Sequence, residues 1–404
     1  MKKGWKIEPL GDLCEFQRGL TYAKGDEVDV SDNVVLRATN IDLTTNLLNF
    51  DELKYISDKV VVPDSKKVKK GSLMICTASG SKSHLGKVAF IDDDYGYAFG
   101  GFMGMITPKS GLLPKYLFHL MTSNVYKDFI GELSDGANIN NLKFDDLRKF
   151  QVPYPPLAEQ QRIVGLLDEA FQGIAAAKAN AEKNLQNARA LFESHLQSVF
   201  THRGPGWVET TLGEAYDVRD GTHDSPKYHA TGYPLITSKN LKREGLSFDD
   251  VRLISQQDYT KINERSAVHK GDVLFAMIGT IGNPTLVEVE PNFAIKNVAL
   301  FKNPNGQSSA FLKHYLDSGM VISKMMKEAK GTTQKFVGLG YLRGFPINLP
   351  PLATQLELVE ELDELAEETR RLEALYQEKL AKLEELKKSL LHQAFTGELT
   401  KVAA

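Results

Sequence analysis

Cysteine is scarce: Cys14 and Cys76 are the only two in 404 residues. They form no CxxC pair, so neither a disulfide framework nor a thiolate zinc site is expected, and two reduced thiols are. No run of eighteen apolar residues occurs, which excludes a membrane-spanning helix. The opening MKKGWKIEPLGDLCEF lacks the apolar core of a signal peptide, so a cytoplasmic protein is expected. The nine histidines are scattered without an HxxxH pair, and no metal site is expected. Nucleotide motifs are missing too. FGGFMG (99–104) lacks the G-x-G-x-x-G spacing, and GSKSHLGKV (80–88) has Val88 where a P-loop needs a hydroxyl to hold magnesium. PYPPL and NLPPL present the wrong order for NPP[YF], the motif that grips a flipped adenine. Glu52-Leu53-Lys54 carries none of the flanking pattern of a nuclease.

Charge of one sign is also in short supply. The formal net charge is −3. Residues 157–200 carry −1 and residues 352–398 carry −6, so the rest of the chain holds +4. The acidity is concentrated in two segments, and a near-neutral total leaves room for a local basic surface.

What the chain has in abundance is repetition. PPLAEQQRIVGLLDE (155–169) returns as PPLATQLELVEELDE (350–364), 195 positions on. GWKIEPLGD (4–12) matches GWVETTLGE (206–214), LRATNI (36–41) matches ITSKNL (236–241), and KKGSLMICTASG (69–80) matches HKGDVLFAMIGT (269–280). DGANINNLKFDDLRKF (135–150) and SHLQSVFT (194–201) match KGTTQKFVGLGYLRGF (330–345) and SLLHQAFT (389–396), all in the same order. This is a tandem duplication of about 200 residues rather than a short-period solenoid.

Each copy begins with about 150 residues of mixed character. Runs such as VVLRAT, LMICTA, PLITS, DVLFAMIG and VALFK, set between Gly, Asn, Asp and Pro clusters, read as strands and turns. Residues 113–133 and 310–328 each read as one helical stretch. An α+β domain follows. Each copy then ends in a long amphipathic segment beginning just after a proline pair. Ile163, Leu167, Ala170, Ile174, Ala177, Ala181, Leu185, Ala188, Phe192 and Val199 recur mostly at three- and four-residue steps. Leu362, Leu365, Thr369, Leu372, Tyr376, Leu380, Leu383, Leu390 and Ala394 do so in the second copy. Helices of that length, roughly 65 Å, exceed what one small domain can cover. They are expected to pair antiparallel, the small seam of the first against the bulky seam of the second. The expected architecture is pseudo-two-fold: domains at 1–154 and 204–349, long helices at 155–203 and 350–399, and a tail at 400–404.

With these elements in place, the chain resembles the specificity (S) subunit of type I restriction-modification systems over its full length. The resemblance rests on the GW…LG openings at Trp5 and Trp207, the two PPL(A)xQ helix starts, the FTGEL ending at Phe395–Leu399, and the stretches DGTHDSPKYHATGYPLITSKNL (220–241) and GDVLFAMIGTIG (271–282). The second copy departs from the first with Thr354 where Glu159 stands. The resemblance implies a non-catalytic DNA-reading subunit whose two target-recognition domains each read one half of a split, asymmetric site. It implies helices that set the spacing and dock two methyltransferase (modification) subunits, which use S-adenosylmethionine. Restriction-translocase subunits using ATP and Mg can then join, and no cofactor binds this chain. Helix pairing and docking would fall to Ile163, Leu167, Ile174, Leu185 and Phe192, with Leu362, Leu365, Leu372, Tyr376 and Leu383. The alternative from another class is a coiled-coil scaffold without sequence-specific DNA binding.

Polar side chains in corresponding loops are the candidate DNA readers. In the first domain these are Arg18, Thr21, Tyr22 and Lys24, then Ser81, Lys82, His84 and Lys87 from the P-loop-like stretch, read as a DNA-contacting loop rather than a nucleotide site. In the second they are Arg219, Thr222, His223, Lys227 and Tyr228, then Thr333, Gln334 and Lys335. Arg and Lys suit guanine and Gln suits adenine in the major groove. His223 reads equally as a DNA-facing residue or a turn residue. The run Lys66, Lys67, Lys69, Lys70 reads first as a solvated face. Asn40 and Asn240, at aligned positions, suggest a shared structural turn.

Overall fold

A computed structural model describes residues 4–79, 84–135, 141–304 and 306–401. It divides into two compact units, residues 1–181 with 378–404, and residues 182–377. In the first unit, β1 (Lys6–Pro9) leads into β2 (Cys14–Arg18), β3 (Asn33–Leu36), β4 (Leu73–Cys76), β5 (Val88–Phe90), β6 (Ala98–Phe99), β7 (Met103–Pro108) and β8 (Gln151–Tyr154). The main sheet has the order β2-β7-β4-β5 and is antiparallel throughout. A smaller sheet sets β3 parallel to β6, and β1 pairs with β8.

The second unit repeats the plan with β9 (Val208–Thr211), β10 (Asp217–Asp220), β11 (Tyr233–Ile236), β12 (Val273–Ile278), β13 (Thr280–Leu286), β14 (Ala294–Ile295), β15 (Val298–Lys302) and β16 (Pro346–Leu349). Its main sheet runs β10-β15-β12-β13. β11 lies parallel to β14, and β9 pairs with β16. The two domains therefore share one topology, as the ordered sequence matches between them imply. β4 and β12 are buried on both faces, which is why LMIC and VLFAMI are continuous apolar runs rather than alternating ones.

Each helical stretch that reads as one element is two. The first unit has α1 (Pro114–Thr122) and α2 (Asn124–Asp135); the second has α3 (Ser309–Asp317) and α4 (Gly319–Glu328). The breaks fall at Ser123 and Ser318, both buried, and each hydroxyl donates to the carbonyl three residues back at 2.7 Å. A serine bonding its own backbone competes with helix continuation, and apolar periodicity does not register it.

The long helices cover Leu157–Thr201 and Leu352–Thr396. They run antiparallel within each unit. In the first, Glu159 meets Thr400 and Lys178 meets Glu384 at 2.9 Å. In the second, Arg189 meets Glu373 at 2.9 Å and His195 meets Glu361 at 3.0 Å. Ile163, Leu167, Ile174 and Phe192 are buried and Leu185 is half-buried. Ile163 and Leu167 join Leu391, Ala394 and Phe395 in the first unit's core. Phe192, Leu196, Phe200 and Leu362 join that of the second.

The bulky seam is less enclosed than the spacing suggests. Leu362 is fully buried, whereas Leu365, Leu372, Tyr376 and Leu383 are only half-buried. A helix pair without a third layer leaves one flank of each seam residue in water. Leu362→Ala is accordingly expected to cost about 2–5 kcal/mol, and Leu365→Ala roughly half of that, in chemical unfolding.

The duplicated PPLxxQ motif has a structural explanation. Gln160 is fully buried; its Oε1 accepts from Leu113 N at 2.9 Å, and its Nε2 donates to Gly111 O at 2.9 Å and Pro155 O at 3.0 Å. Gln355 repeats this with Ser308 N at 2.9 Å and Pro350 O at 2.9 Å. Leu113 and Ser308 are the N-caps of α1 and α3, so each glutamine ties the start of a long helix to the start of a domain helix. A second tie lies two turns on. Buried His119 contacts Asp168 at 2.9 Å and His314 contacts Asp363 at 2.8 Å, and burial pulls both imidazole pKa values down.

Candidate nucleic-acid interface

Arg18, Thr21, Tyr22 and Lys24 lie at or just past the sheet end where β2 and β4 finish and β7 begins, and Arg219, Thr222, His223 and the 333–335 turn lie where β10 and β12 finish and β15 begins. The frame there is the same in both units. Gly19 N donates to Met103 O at 3.0 Å and Leu20 N to Phe99 O at 2.7 Å. Gly221 N donates to Val298 O at 2.9 Å and Thr222 N to Ile295 O at 3.0 Å. A side chain at either glycine would strike backbone: a Cβ at Gly19 would lie 1.9 Å from Gly100 O, and one at Gly221 2.3 Å from Ile295 O. Close backbone approach, not flexibility, requires glycine at both.

This register shows that Arg18 and Arg219 are not counterparts. Arg18 aligns with Asp220, and Arg219 with Gln17, so the two arginines leave opposite faces of their strands. Arg18 is exposed, its guanidinium 5.5 Å from the Phe144 ring centre and its carbonyl accepting from Lys66 Nζ at 2.8 Å. Arg219 is engaged by Asp217 Oδ2 at 2.6 and 2.9 Å and by Arg265 O at 3.0 Å; the Asp217 hydrogen bonds hold its pKa up.

In the first unit Thr21, Tyr22 and Lys24 line a cleft of about 550 Å³ with Arg37, Thr39 and Phe102. A neighbouring cleft of about 470 Å³ holds Arg18, Lys66, Lys143 and Arg148. A third, about 340 Å³, joins Arg18 to Phe102 and Asn141. Phe102 is 74% exposed, an aromatic face at the turn between β6 and β7. Of the lysine run, Lys66 turns toward Arg18, while Lys67 pairs with Asp64 at 3.0 Å and Lys70 with Asp93 at 3.7 Å.

His84 and Lys87 do not line these clefts. They contact each other at 3.1 Å between β4 and β5, and burial pulls the Lys87 pKa down. Ser81 and Lys82 lie outside the described residues.

In the second unit His223 is held on both ring nitrogens, by Asn297 Oδ1 at 2.8 Å and Asp220 Oδ2 at 2.9 Å. Asp220 in turn takes Arg265 at 2.9 Å. Thr222 is half-buried, and its hydroxyl accepts from Asp224 N at 3.1 Å. Lys227 is exposed, and Tyr228 lies with the Arg252 guanidinium 5.7 Å from its ring centre. Thr333, Gln334 and Lys335 form an exposed turn closed by reciprocal Lys330–Phe336 backbone bonds of 3.0 and 2.9 Å. Lys335 O accepts from Gly279 N at 2.9 Å, and Lys335 Nζ donates to Met326 O at 3.1 Å. The Ile278–Phe336 bridge matches the Ala78–Asn141 bridge of the first unit, so this turn stands at the same sheet end.

Arg37, Phe102, Lys143 and Arg148 in the first unit, and Asn297, Arg265 and Lys296 in the second, escape a reading from sequence. They come from distant segments that only the fold assembles. Arg37 alone carried a signal, since it precedes an Asn that the duplication preserves. Among the described residues no cluster of three or more His, Cys, Asp or Glu stands ready for a metal, and no helix is long and apolar enough to cross a membrane.

The family model described as the type I restriction modification DNA specificity domain matches this chain twice, over residues 2–186 and 205–385. The chain belongs to that specificity family. Among relatives of known role, the StySPI type I restriction enzyme specificity subunit of Salmonella potsdam is 27% identical, covering 99% of this chain and 90% of its own length. The EcoKI specificity subunit of Escherichia coli K12 is 25% identical with the same coverage. The fold is also shared with solved specificity-family structures. A chain from a study of complex assembly and conformational transition in the type I R-M system aligns at TM-score 0.81, with 19% identity and 99% coverage of each chain. The HsdS subunit from Thermoanaerobacter tengcongensis aligns at 0.64, with 20% identity and coverage of 99% and 98%. The two matched segments are the two copies of the duplication, so each specificity domain corresponds to one repeated frame with its own set of side chains.

Proposed function

We propose that this chain is the DNA-reading subunit of a type I restriction-modification complex. Its domains, residues 1–154 and 204–349, each read one half of a bipartite, asymmetric site. The observation that carries this is a common sheet-end frame bearing unlike side chains: Arg18, Thr21, Tyr22, Lys24 and Phe102 in one copy, Arg219, His223 and Gln334 in the other. A frame held constant while its side chains differ is what two independent readers require. The aromatic and cationic character of the clefts suits base edges and phosphates.

In this reading the chain performs no chemistry. The exposed flanks of the long helices dock two methyltransferase subunits carrying S-adenosylmethionine, restriction-translocase subunits using ATP and Mg join them, and the complex works in the cytoplasm.

Selection of bound sequences from random duplexes tests the reading. The full chain is expected to enrich two separated half-sites. Lys227→Ala with Gln334→Ala is expected to change only one of them, at about 1–3 kcal/mol of discrimination per base pair. Loss of both halves together would contradict independent readers, and enrichment of no sequence would favour a scaffold.

A further inference from the structure

Arg37 stands on a turn that the two domains build alike and tip differently. Asn40 is buried, and its Oδ1 accepts from Arg37 N at 2.8 Å while its Nδ2 donates to Asn49 O at 2.9 Å and Glu52 O at 3.0 Å. Asn240 does the same for Thr237 N at 3.0 Å, donating to Ser247 O at 3.2 Å and Asp249 O at 3.4 Å. The clamp thus survives in two domains that have diverged widely around it. The residues it presents have not: Arg37-Ala38-Thr39 in one copy, Thr237-Ser238-Lys239 in the other.

The first of these tips faces the cleft shared by Thr21, Tyr22 and Phe102. Arg37 is half-buried, and its Nε is buried with no hydrogen-bond partner among the described residues. Among the described residues the one carboxylate lining the cleft, Glu27, is already paired with Lys54 at 2.6 Å. Among the described residues the arginine is therefore not held by a carboxylate of its own domain, and its cleft-lining guanidinium end can serve an acceptor that enters the cleft.

We propose that Arg37 is a specificity-determining residue of the first half-site, hydrogen-bonding the O6/N7 edge of a guanine that the cleft receives. This rests on the DNA-reading function above. Guanine offers two adjacent acceptors to the arginine fork, and so does a phosphate. The base edge is favoured by the repeat itself. A phosphate is the same along any sequence and asks for no change of side chain between two readers, yet the corresponding position holds Thr237 in place of the arginine. A position that changes chemistry on a preserved clamp is behaving as a reader.

The experiment is selection from random duplexes by the full chain carrying Arg37→Gln or Arg37→Lys. The expected result is relaxation at one base pair of the first half-site, roughly 5- to 150-fold in preference, with the second half-site unchanged. Retention of the second half-site shows that the variant chain is folded. An unchanged motif overturns the proposal. So does a uniform loss of affinity with a shallower salt dependence, which marks a phosphate contact. Erasure of both half-sites by both variants overturns it too, because a reader of one base pair cannot act on the other domain. Failure of the DNA-reading function itself would show separately, as a wild-type chain that selects no sequence.

Discussion

Residues 1–203 produced alone are expected to form a homodimer that prefers a palindromic site. This piece lacks Leu391, Ala394 and Phe395, which complete the first unit's core. Phe395 lies 5.4 Å from Tyr116, ring centre to ring centre. At the aligned positions of the second unit, Phe200 lies 5.3 Å from Phe311. SHLQSVFT and SLLHQAFT are therefore the same plug used twice, and a second copy of 1–203 carries a spare one. Its Leu196, Val199 and Phe200 can take the places of Leu391, Ala394 and Phe395. The exchange is reciprocal, so it closes as a two-fold dimer. Val199 is larger than the fully buried Ala394 it replaces, and overpacking of that kind costs about 1–3 kcal/mol per site. The dimer should consequently be weaker than the native pairing. Two identical domains would then read identical half-sites. Sedimentation of the fragment, followed by selection from random duplexes, checks both points. A stable, folded monomer, or a dimer that enriches an asymmetric sequence, would refute the account of the duplication.

Gln160→Ala is expected to lower the stability of the first unit by about 3–5 kcal/mol, the largest effect anticipated from a single polar substitution. Truncation strands Leu113 N–H, Gly111 O and Pro155 O in a fully buried position. An orphaned buried group costs about 1–3 kcal/mol, and there are three. Trp5 is buried in this unit's core, so its fluorescence in a Trp207→Phe background reports on the first unit. The denaturation midpoint followed this way should fall sharply for Gln160→Ala and little for Gln355→Ala, whose partners belong to the second unit. An unchanged midpoint for Gln160→Ala would mean that the motif serves something other than this anchor.

The duplication, the two long helices and the strands β3, β4, β11, β12 and β15 were legible in the chain because their signals are local. Apolar side chains at three- and four-residue steps make one face of a helix whatever surrounds it, and LMIC or VLFAMI can sit nowhere but inside. The role of Asn40 and Asn240 as a turn was legible for a related reason, since two copies of one sequence point to what each turn needs. Tertiary structure decided the rest. Ser123 and Ser318 lie buried at the helix breaks, each bonding the carbonyl three residues back, a contact that apolar periodicity does not register. Arg18 and Arg219 read as members of corresponding loops, but both lie on strands, and the register puts Asp220, not Arg219, in Arg18's place. His223 reads equally as a DNA-facing residue or a turn residue along the chain, and only the fold brings Asn297, 74 positions away, to its ring. The cleft at Arg37 is built from residues between Leu20 and Met103, and among the described residues the fold buries its Nε without supplying an acceptor. Periodicity is a property of neighbours along the chain and can be read there; hydrogen-bond satisfaction depends on neighbours in space, and only the folded chain determines it.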